Sequence, residues 1–134
     1  MKAELNQLRD EIHKNAVEKG FYDFEQSVPN GALAKEVEHA FFAQKIALIH
    51  SELGEALNAD RCNAHAHLSK YDNFNIFYKE AFEFHIKDTV EDELADVIIR
   101  TLDLCGHLDI DIEKHVELKM QYNQTRAYMH DKKY

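Results

Sequence analysis

The sequence predicts an all-α helical bundle of four to five helices, folded as a single domain over 1–134. Residues that interrupt helices are scarce, since the 134 residues include 4 glycines and 1 proline. Apolar residues recur at intervals of three and four along nearly the whole chain, which is the period of a helix with one buried face. No alternating pattern of a strand, internal repeat or low-complexity tract is visible in the sequence.

The first half of the chain predicts two helices separated by a turn. The first helix covers 2–19, and Gly20 stands where a C-terminal cap belongs. The stretch SVPNG (27–31) is a turn because it combines proline, asparagine and glycine. The second helix runs from about 33 to 60 and is strongly apolar.

The second half predicts a loop and three further helices. The loop covers 61–73 and is followed by a short aromatic helix over 74–85. The fourth helix is capped by Asp88 or Thr89 and ends at Gly106, because each end carries a suitable capping residue. The last helix covers about 111–127 and is followed by a polar tail.

The composition excludes several classes of function. Lys plus Arg number 16 against 25 Asp plus Glu, and the net charge of −9 disfavours nucleic acids and anionic membranes as partners. The charge also disfavours polyphosphates, unless a metal cation mediates. No apolar run reaches the ~20 residues of a membrane span, and the charged start lacks a signal peptide. Because Cys62 and Cys105 match no disulfide or CxxC pattern, we expect reduced thiols in a cytoplasmic protein.

Two carboxylate pairs stand inside the two most apolar helices. They are Glu52 and Glu55 in IHSELGEAL (49–57), and Glu93 and Asp96 in EDELADVII (91–99). A spacing of three residues puts both members of a pair on adjacent turns of one helix face. If the two helices pack together, four carboxylates meet in one space and need a cation to stay ionised. Ligands that are all oxygen favour Mg²⁺ or Mn²⁺ over zinc or iron.

Each acidic pair borders a predicted apolar core face. On the second helix this face consists of Phe42, Ile46, Ile49, Leu53 and Leu57, and on the fourth helix of Val90, Leu94, Val97, Thr101 and Leu104. Arg100 follows Asp96 by one turn, so we expect it to orient a carboxylate. Lys45 lies two turns before Glu52 and is a candidate phosphate ligand, with simple solvation as the equal alternative.

The last helix carries one stripe that changes from apolar to basic along its length. The stripe consists of Ile112, Val116, Lys119, Asn123 and Arg126. A solvated, basic helix end is the simpler interpretation, and it suits the helix dipole. Beside a metal-carboxylate centre, however, the cations and the amide could bind phosphate oxygens. That interpretation predicts that Arg126 points towards the bundle interior.

Three segments in this order, LIHSELGEAL, EDELADVIIRTLDL and KMQYNQTRAY, resemble the MazG-like nucleoside triphosphate pyrophosphohydrolases over about 44–134. The resemblance implies an all-α homodimer or homotetramer that uses Mg²⁺ to hydrolyse a nucleoside triphosphate to the monophosphate and pyrophosphate. It implies metal ligation by Glu52, Glu55, Glu93 and Asp96, and phosphate binding by Lys119, Asn123 and Arg126. The base and sugar stay open, with a dNTP or a non-standard nucleotide among the candidates.

In the expected mechanism, a water held by the metal or by a carboxylate attacks the α-phosphorus of the triphosphate. Glu52 is the residue expected to accept the proton of this water. Two other functions remain open: a metal-binding helical bundle without hydrolase activity, and a module that only mediates assembly. Cys62, His65 and His67 form a weaker zinc candidate, because a fourth ligand at a suitable spacing is missing. The aromatic residues around 74–84 are expected in the core or at a subunit contact, because a monomer would expose them.

Overall fold

The computed structural model describes residues 4–73, 77–131 and 133, and within that part it contains seven α-helices and no strand. The helices are α1 (Leu5–Glu18), α2 (Asp23–Ser27), α3 (Ala32–Arg61), α4 (Leu68–Asp72), α5 (Tyr78–His85), α6 (Val90–His107) and α7 (Ile112–Gln124), followed by a 3₁₀ turn over Tyr128–Asp131. The all-α class is confirmed. The predicted count of four to five helices is too low, because α2 and α4 are too short to show a helical period.

The helix ends follow local signals that the sequence shows in part. Gly20 has φ +84°, and the N–H of Phe21 donates to the carbonyl of Ala16 at 3.2 Å, as at a left-handed helix C-terminus. Thr89 caps α6, since its hydroxyl oxygen accepts from the Asp92 N–H at 3.3 Å. The last helix ends at Gln124, three residues before its predicted end. Residues 74–76, the predicted start of the aromatic helix, lie outside the described residues.

The helices α3 and α6 pack side by side and run antiparallel, and α1 also packs against α6. The helix α6 ends at His107, one residue beyond its predicted end at Gly106. A Cβ at Gly106 would come within 2.6 Å of the Cβ of His13 on α1, so glycine permits this close approach. The last helix, α7, packs mainly against α1.

The buried face of α3 is the face that carries Glu52, whereas Glu55 is exposed. The buried residues of this helix are Glu52, Ala56 and Ala59. Leu53 and Leu57, on the predicted core face, are 45% and 63% exposed. The predicted core face of α3 is therefore wrong for the single chain, because α6 packs against the acidic side instead. On α6 the predicted face is half right, since Leu104 is buried and Leu94 is exposed.

A broad apolar surface remains uncovered in the single chain. Its large exposed members include Phe42, Leu53 and Leu57 on α3, Leu94, Ile98 and Ile99 on α6, and Val116, Leu118 and Met120 on α7. The accessible surface of 10646 Å² is well above the roughly 7,300 Å² typical of a compact monomer of this mass. Exposed apolar side chains that gather in a patch normally mark a contact with another molecule.

Candidate metal centre

The antiparallel pair α3 and α6 brings the four predicted acids to one cavity of about 650 Å³. The carboxylates that line this cavity are Glu52, Glu55, Glu83, Asp88, Asp92, Glu93 and Asp96. The predicted convergence of the two pairs is thus found, since all four of their members belong to this set. The cavity is hereafter called the acidic cavity.

Carboxylate oxygens in the acidic cavity are close enough to share a cation. One oxygen from each of Glu52, Glu93 and Asp96 lies within 4.8 Å of the others, and Asp88, Asp92 and Glu93 form a second such group. Both groups use Glu93. Three oxygens at this spacing fit a hard divalent cation such as Mg²⁺ or Mn²⁺, which completes its shell with water and substrate oxygens. The donor set therefore fits the implied metal.

Burial makes these charges costly. Glu52 and Glu93 are each only 6% exposed, and no basic side chain pairs with Glu93 in the part of the chain that the structure describes. Burial, reinforced by the negative charges of Glu55 and Asp92, raises the pKa of Glu93 to about 7. Burial also raises the pKa of Asp96, with the charges of Asp92 and Glu52 acting in the same direction. A cation would relieve both costs.

Arg100 is the basic residue in contact with the acidic pairs. Its Nε donates to Glu52 Oε1 at 2.6 Å, and the Glu52 side chain is nearly buried while that of Arg100 is 40% exposed. The expected contact between Arg100 and a carboxylate is therefore found. Its charge opposes the rise in the pKa of Asp96.

The acidic cavity has residues that the sequence reasoning missed or assigned elsewhere. Asp88 had been considered only as a cap of the fourth helix. It lies five residues before Glu93, Asp92 stands directly before Glu93, and both line the cavity. Tyr78 and Phe82 of α5 line the cavity wall instead of a core, and Tyr78 is 82% exposed. The acids that directly precede Glu93 in the sequence were the available signal for Asp92, and nothing in the sequence located Asp88 or α5 beside the cavity.

Lys45 is not brought to the acidic cavity. Its Nζ pairs with Asp103 Oδ2 at 2.9 Å and lies 4.2 Å from the centre of the Tyr22 ring. His13 Nδ1 lies 2.9 Å from the other oxygen of Asp103. Lys45 lines a second cavity of about 430 Å³ between α1, α3 and α6. Its predicted role as a phosphate ligand has no support in the single chain.

The three predicted phosphate ligands of the C-terminal segment also lie outside the acidic cavity. Lys119, Asn123 and Arg126 are exposed, and none of them lines either cavity. Arg126 follows the end of α7 and approaches the Tyr122 ring at 6.0 Å. The expected inward orientation of Arg126 is therefore wrong for the single chain, because α7 packs mainly against α1 and not against the acidic helices.

The alternative zinc site does not assemble in the described residues. Cys62, His65 and His67 belong to neither group of close metal-ligating atoms. His65 instead pairs with Glu91 at 3.2 Å, and the same carboxylate accepts from the N–H of Ala66 at 2.9 Å. These contacts fasten the loop before α4 to the start of α6.

The raised pKa of Glu93 leads to a pH prediction for the metal-free protein. The folded carboxyl keeps its proton to higher pH than the unfolded chain does, so this stabilisation is complete at low pH and is lost as pH rises through about 7. We expect the Tm in EDTA to fall from pH 5 to pH 8, and excess Mg²⁺ to restore it at pH 8. Circular dichroism melts would measure both effects. If Glu93→Gln shows the same pH dependence as the wild type, Glu93 is not the group responsible.

Comparison of the chain with family models, curated proteins and solved structures finds no match. Within the described residues, no helix has the length and hydropathy needed to cross a membrane. The resemblance to the MazG-like pyrophosphohydrolases thus rests on the three sequence segments. The acidic cavity shows that the two acidic segments face each other.

Proposed function

We propose that the protein hydrolyses a nucleoside triphosphate to the monophosphate and pyrophosphate, and that the reaction depends on Mg²⁺ or Mn²⁺. The main support is the acidic cavity, in which the buried Glu93 lacks a basic partner among the described residues. Such a site is unfavourable without a cation. A triphosphate is a substrate that an acidic protein binds through metal ions, because the ions neutralise both partners. The order of the three segments supports this substrate class.

The proposed ligands are the oxygens of Glu52, Glu55, Glu93 and Asp96, with Asp88 and Asp92 close enough to Glu93 to assist. When bound, the divalent cation supplies charge neutralisation at the phosphates and makes the attacking water more acidic. The carboxylates would position the triphosphate through the cation that they hold, so that its α-phosphorus faces this water.

The proton transfer is assigned to Glu52, which is buried and lines the acidic cavity. A water oxygen forms a bond to the α-phosphorus, and Glu52 accepts the proton that the water releases. The bond from the α-phosphorus to the oxygen that bridges to the β-phosphorus breaks, and pyrophosphate leaves. The products are one nucleoside monophosphate and one pyrophosphate.

We further propose that the active form is a homo-oligomer, most simply a dimer. The exposed apolar residues of α3, α6 and α7 support this, because they form far more uncovered surface than a compact monomer has. The C-terminal cations support it as well, since Lys119 and Arg126 lie too far from the acids of their own chain to line the same cavity. In an oligomer, the α7 segment of one copy would supply them to the acidic cavity of the other.

The decisive experiment measures pyrophosphate release from a panel of standard and modified ribo- and deoxyribonucleoside triphosphates. Activity that requires Mg²⁺ or Mn²⁺ and disappears in EDTA would support the proposal. Tight cation binding without pyrophosphate from any triphosphate would point to the non-hydrolytic metal bundle. An intact fold with neither cation binding nor activity would point to the assembly module.

Arg126 provides a test of the C-terminal segment. We expect Arg126→Lys to lower kcat/KM about tenfold, because lysine cannot grip two phosphate oxygens, and Arg126→Ala to lower it further. Cation affinity without nucleotide should not change, since Arg126 is not a ligand. Steady-state kinetics with the best triphosphate would measure this, with Lys114→Gln as a control cation on α7 that pairs with Glu117 at 2.9 Å. Unchanged kcat/KM in both Arg126 variants would show that Arg126 is a solvated surface residue with no role in substrate binding.

A further inference from the structure

The contact between Arg100 and Glu52 uses only part of the guanidinium group. Only Nε of the guanidinium is engaged, at 2.6 Å from Glu52 Oε1. The two terminal nitrogens of Arg100 make no hydrogen bond or ion pair with the described residues. The side chain is 40% exposed and lines both the acidic cavity and the second cavity. Arg100 therefore lies at the rim between the two cavities, and its two terminal nitrogens are available for another partner.

Arg100 contacts a carboxylate that is proposed here to bind the cation. Glu52 is one of three residues whose oxygens lie within 4.8 Å of one another. Among the four acids of the two pairs, Glu52 alone has a basic partner in the described part of the chain. The guanidinium is permanently charged, so it cannot make room for a cation by losing a proton.

We propose that Arg100 is a built-in counter-cation of the metal centre. It neutralises Glu52 when no divalent cation is present, competes with the cation for that carboxylate, and turns its terminal nitrogens to the phosphate oxygens of the substrate when the cation binds. This inference rests on the proposed function, because it requires a divalent cation at the acidic cavity.

Electrostatics gives the competition a definite sign. A guanidinium in contact with Glu52 repels a divalent cation that binds the same carboxylate, and the repulsion is strong in a cavity that is partly shielded from water. Arg100 can leave Glu52 when the cation takes its place, because the side chain lies at the rim, makes a single hydrogen bond there, and the cation then neutralises the carboxylate. If Arg100 instead held Glu52 in place for the cation, removing it would weaken cation binding. The two roles therefore predict opposite changes in affinity.

The experiment measures Mn²⁺ affinity without nucleotide, by electron paramagnetic resonance of free Mn²⁺ and by calorimetry. We expect Arg100→Gln to bind Mn²⁺ roughly tenfold more tightly than the wild type, because the competing charge is gone. Arg100→Met keeps most of the apolar stem and should behave alike, which provides a second variant if the glutamine form folds poorly. Lys79→Gln is the matched control. It removes a cation that lines the same cavity but is exposed and paired with Glu83, so affinity should stay within about twofold.

Two further measurements separate the possible outcomes. In EDTA the Tm of Arg100→Gln should be lower than that of the wild type, and saturating Mn²⁺ should raise it by a larger interval than in the wild type. With substrate, kcat/KM should fall although Mn²⁺ binds more tightly, because the variant lacks the guanidinium nitrogens that would bind the phosphates. A merely structural arginine would move Mn²⁺ affinity and kcat/KM in the same direction.

Equal or weaker Mn²⁺ binding in both Arg100 variants would overturn the inference. The proposed function would survive that result if Glu52→Gln abolishes Mn²⁺ binding and the wild type releases pyrophosphate. Failure of the wild type to bind Mn²⁺ at all, with unchanged Tm on its addition, would overturn both the inference and the metal centre. The Glu52→Gln variant thus distinguishes the two failures.

Discussion

Replacing Asp96 with asparagine should lower Mg²⁺-dependent pyrophosphate release at least about 100-fold. Asp96 supplies one of three oxygens that lie within 4.8 Å of one another, together with Glu52 and Glu93. The amide keeps the shape of the side chain but removes the charge that a hard cation requires, and loss of one electrostatic contact at a reacting phosphate typically costs this much in rate. Initial rates at saturating Mg²⁺ would measure the effect. Glu55→Gln, which keeps the length of the glutamate side chain, is the second variant.

The same substitution makes an opposite prediction for stability. Burial and the charges of Asp92 and Glu52 raise the pKa of Asp96, so its ionised form is unfavourable in the metal-free protein. The Tm of Asp96→Asn in EDTA should therefore equal or exceed that of the wild type, with unchanged helical circular dichroism. Glu38→Gln is the control, because Glu38 is an exposed acid of α3 outside the acidic cavity. Near-normal activity in Asp96→Asn would contradict the four-carboxylate centre.

The largest expected effect on assembly comes from charges placed in the exposed apolar surface. Static light scattering of the wild type at micromolar concentration should give at least twice the chain mass of 15.7 kDa. The double variant Leu53→Asp/Leu57→Asp should give the monomer mass, because two buried charges are costly in an apolar interface. Both leucines are about half exposed or more in the single chain, so the substitutions remove little intramolecular packing.

A control for assembly is Leu68→Asp on α4, which places one charge on an exposed leucine away from α3, α6 and α7. Its mass should match the wild type. A wild type that scatters as a 15.7 kDa monomer would overturn the homo-oligomer. Loss of pyrophosphate release in a folded, monomeric Leu53→Asp/Leu57→Asp would further support an active site shared between copies.

Local sequence signals determined much of the helical framework. The scarcity of glycine and proline and the three-to-four-residue period predicted an all-α chain, since both act through neighbouring residues on one helix. Gly20 ends the first helix with a positive φ, and Thr89 caps α6. The spacing of each acidic pair is also local. It places both carboxylates of a pair on one helix face, whatever helix packs against that face.

Only the tertiary structure decided which face of each long helix is covered. The helix α3 carries apolar residues on several sides, so periodicity alone favoured the side with most of them, and α6 packs against the acidic side instead. The close approach at Gly106, the position of α5 beside the acids and the separation of Arg126 from them were beyond local signals for the same reason. They depend on contacts between residues far apart in the chain, whose geometry is set by helix packing and not by the spacing along any one helix.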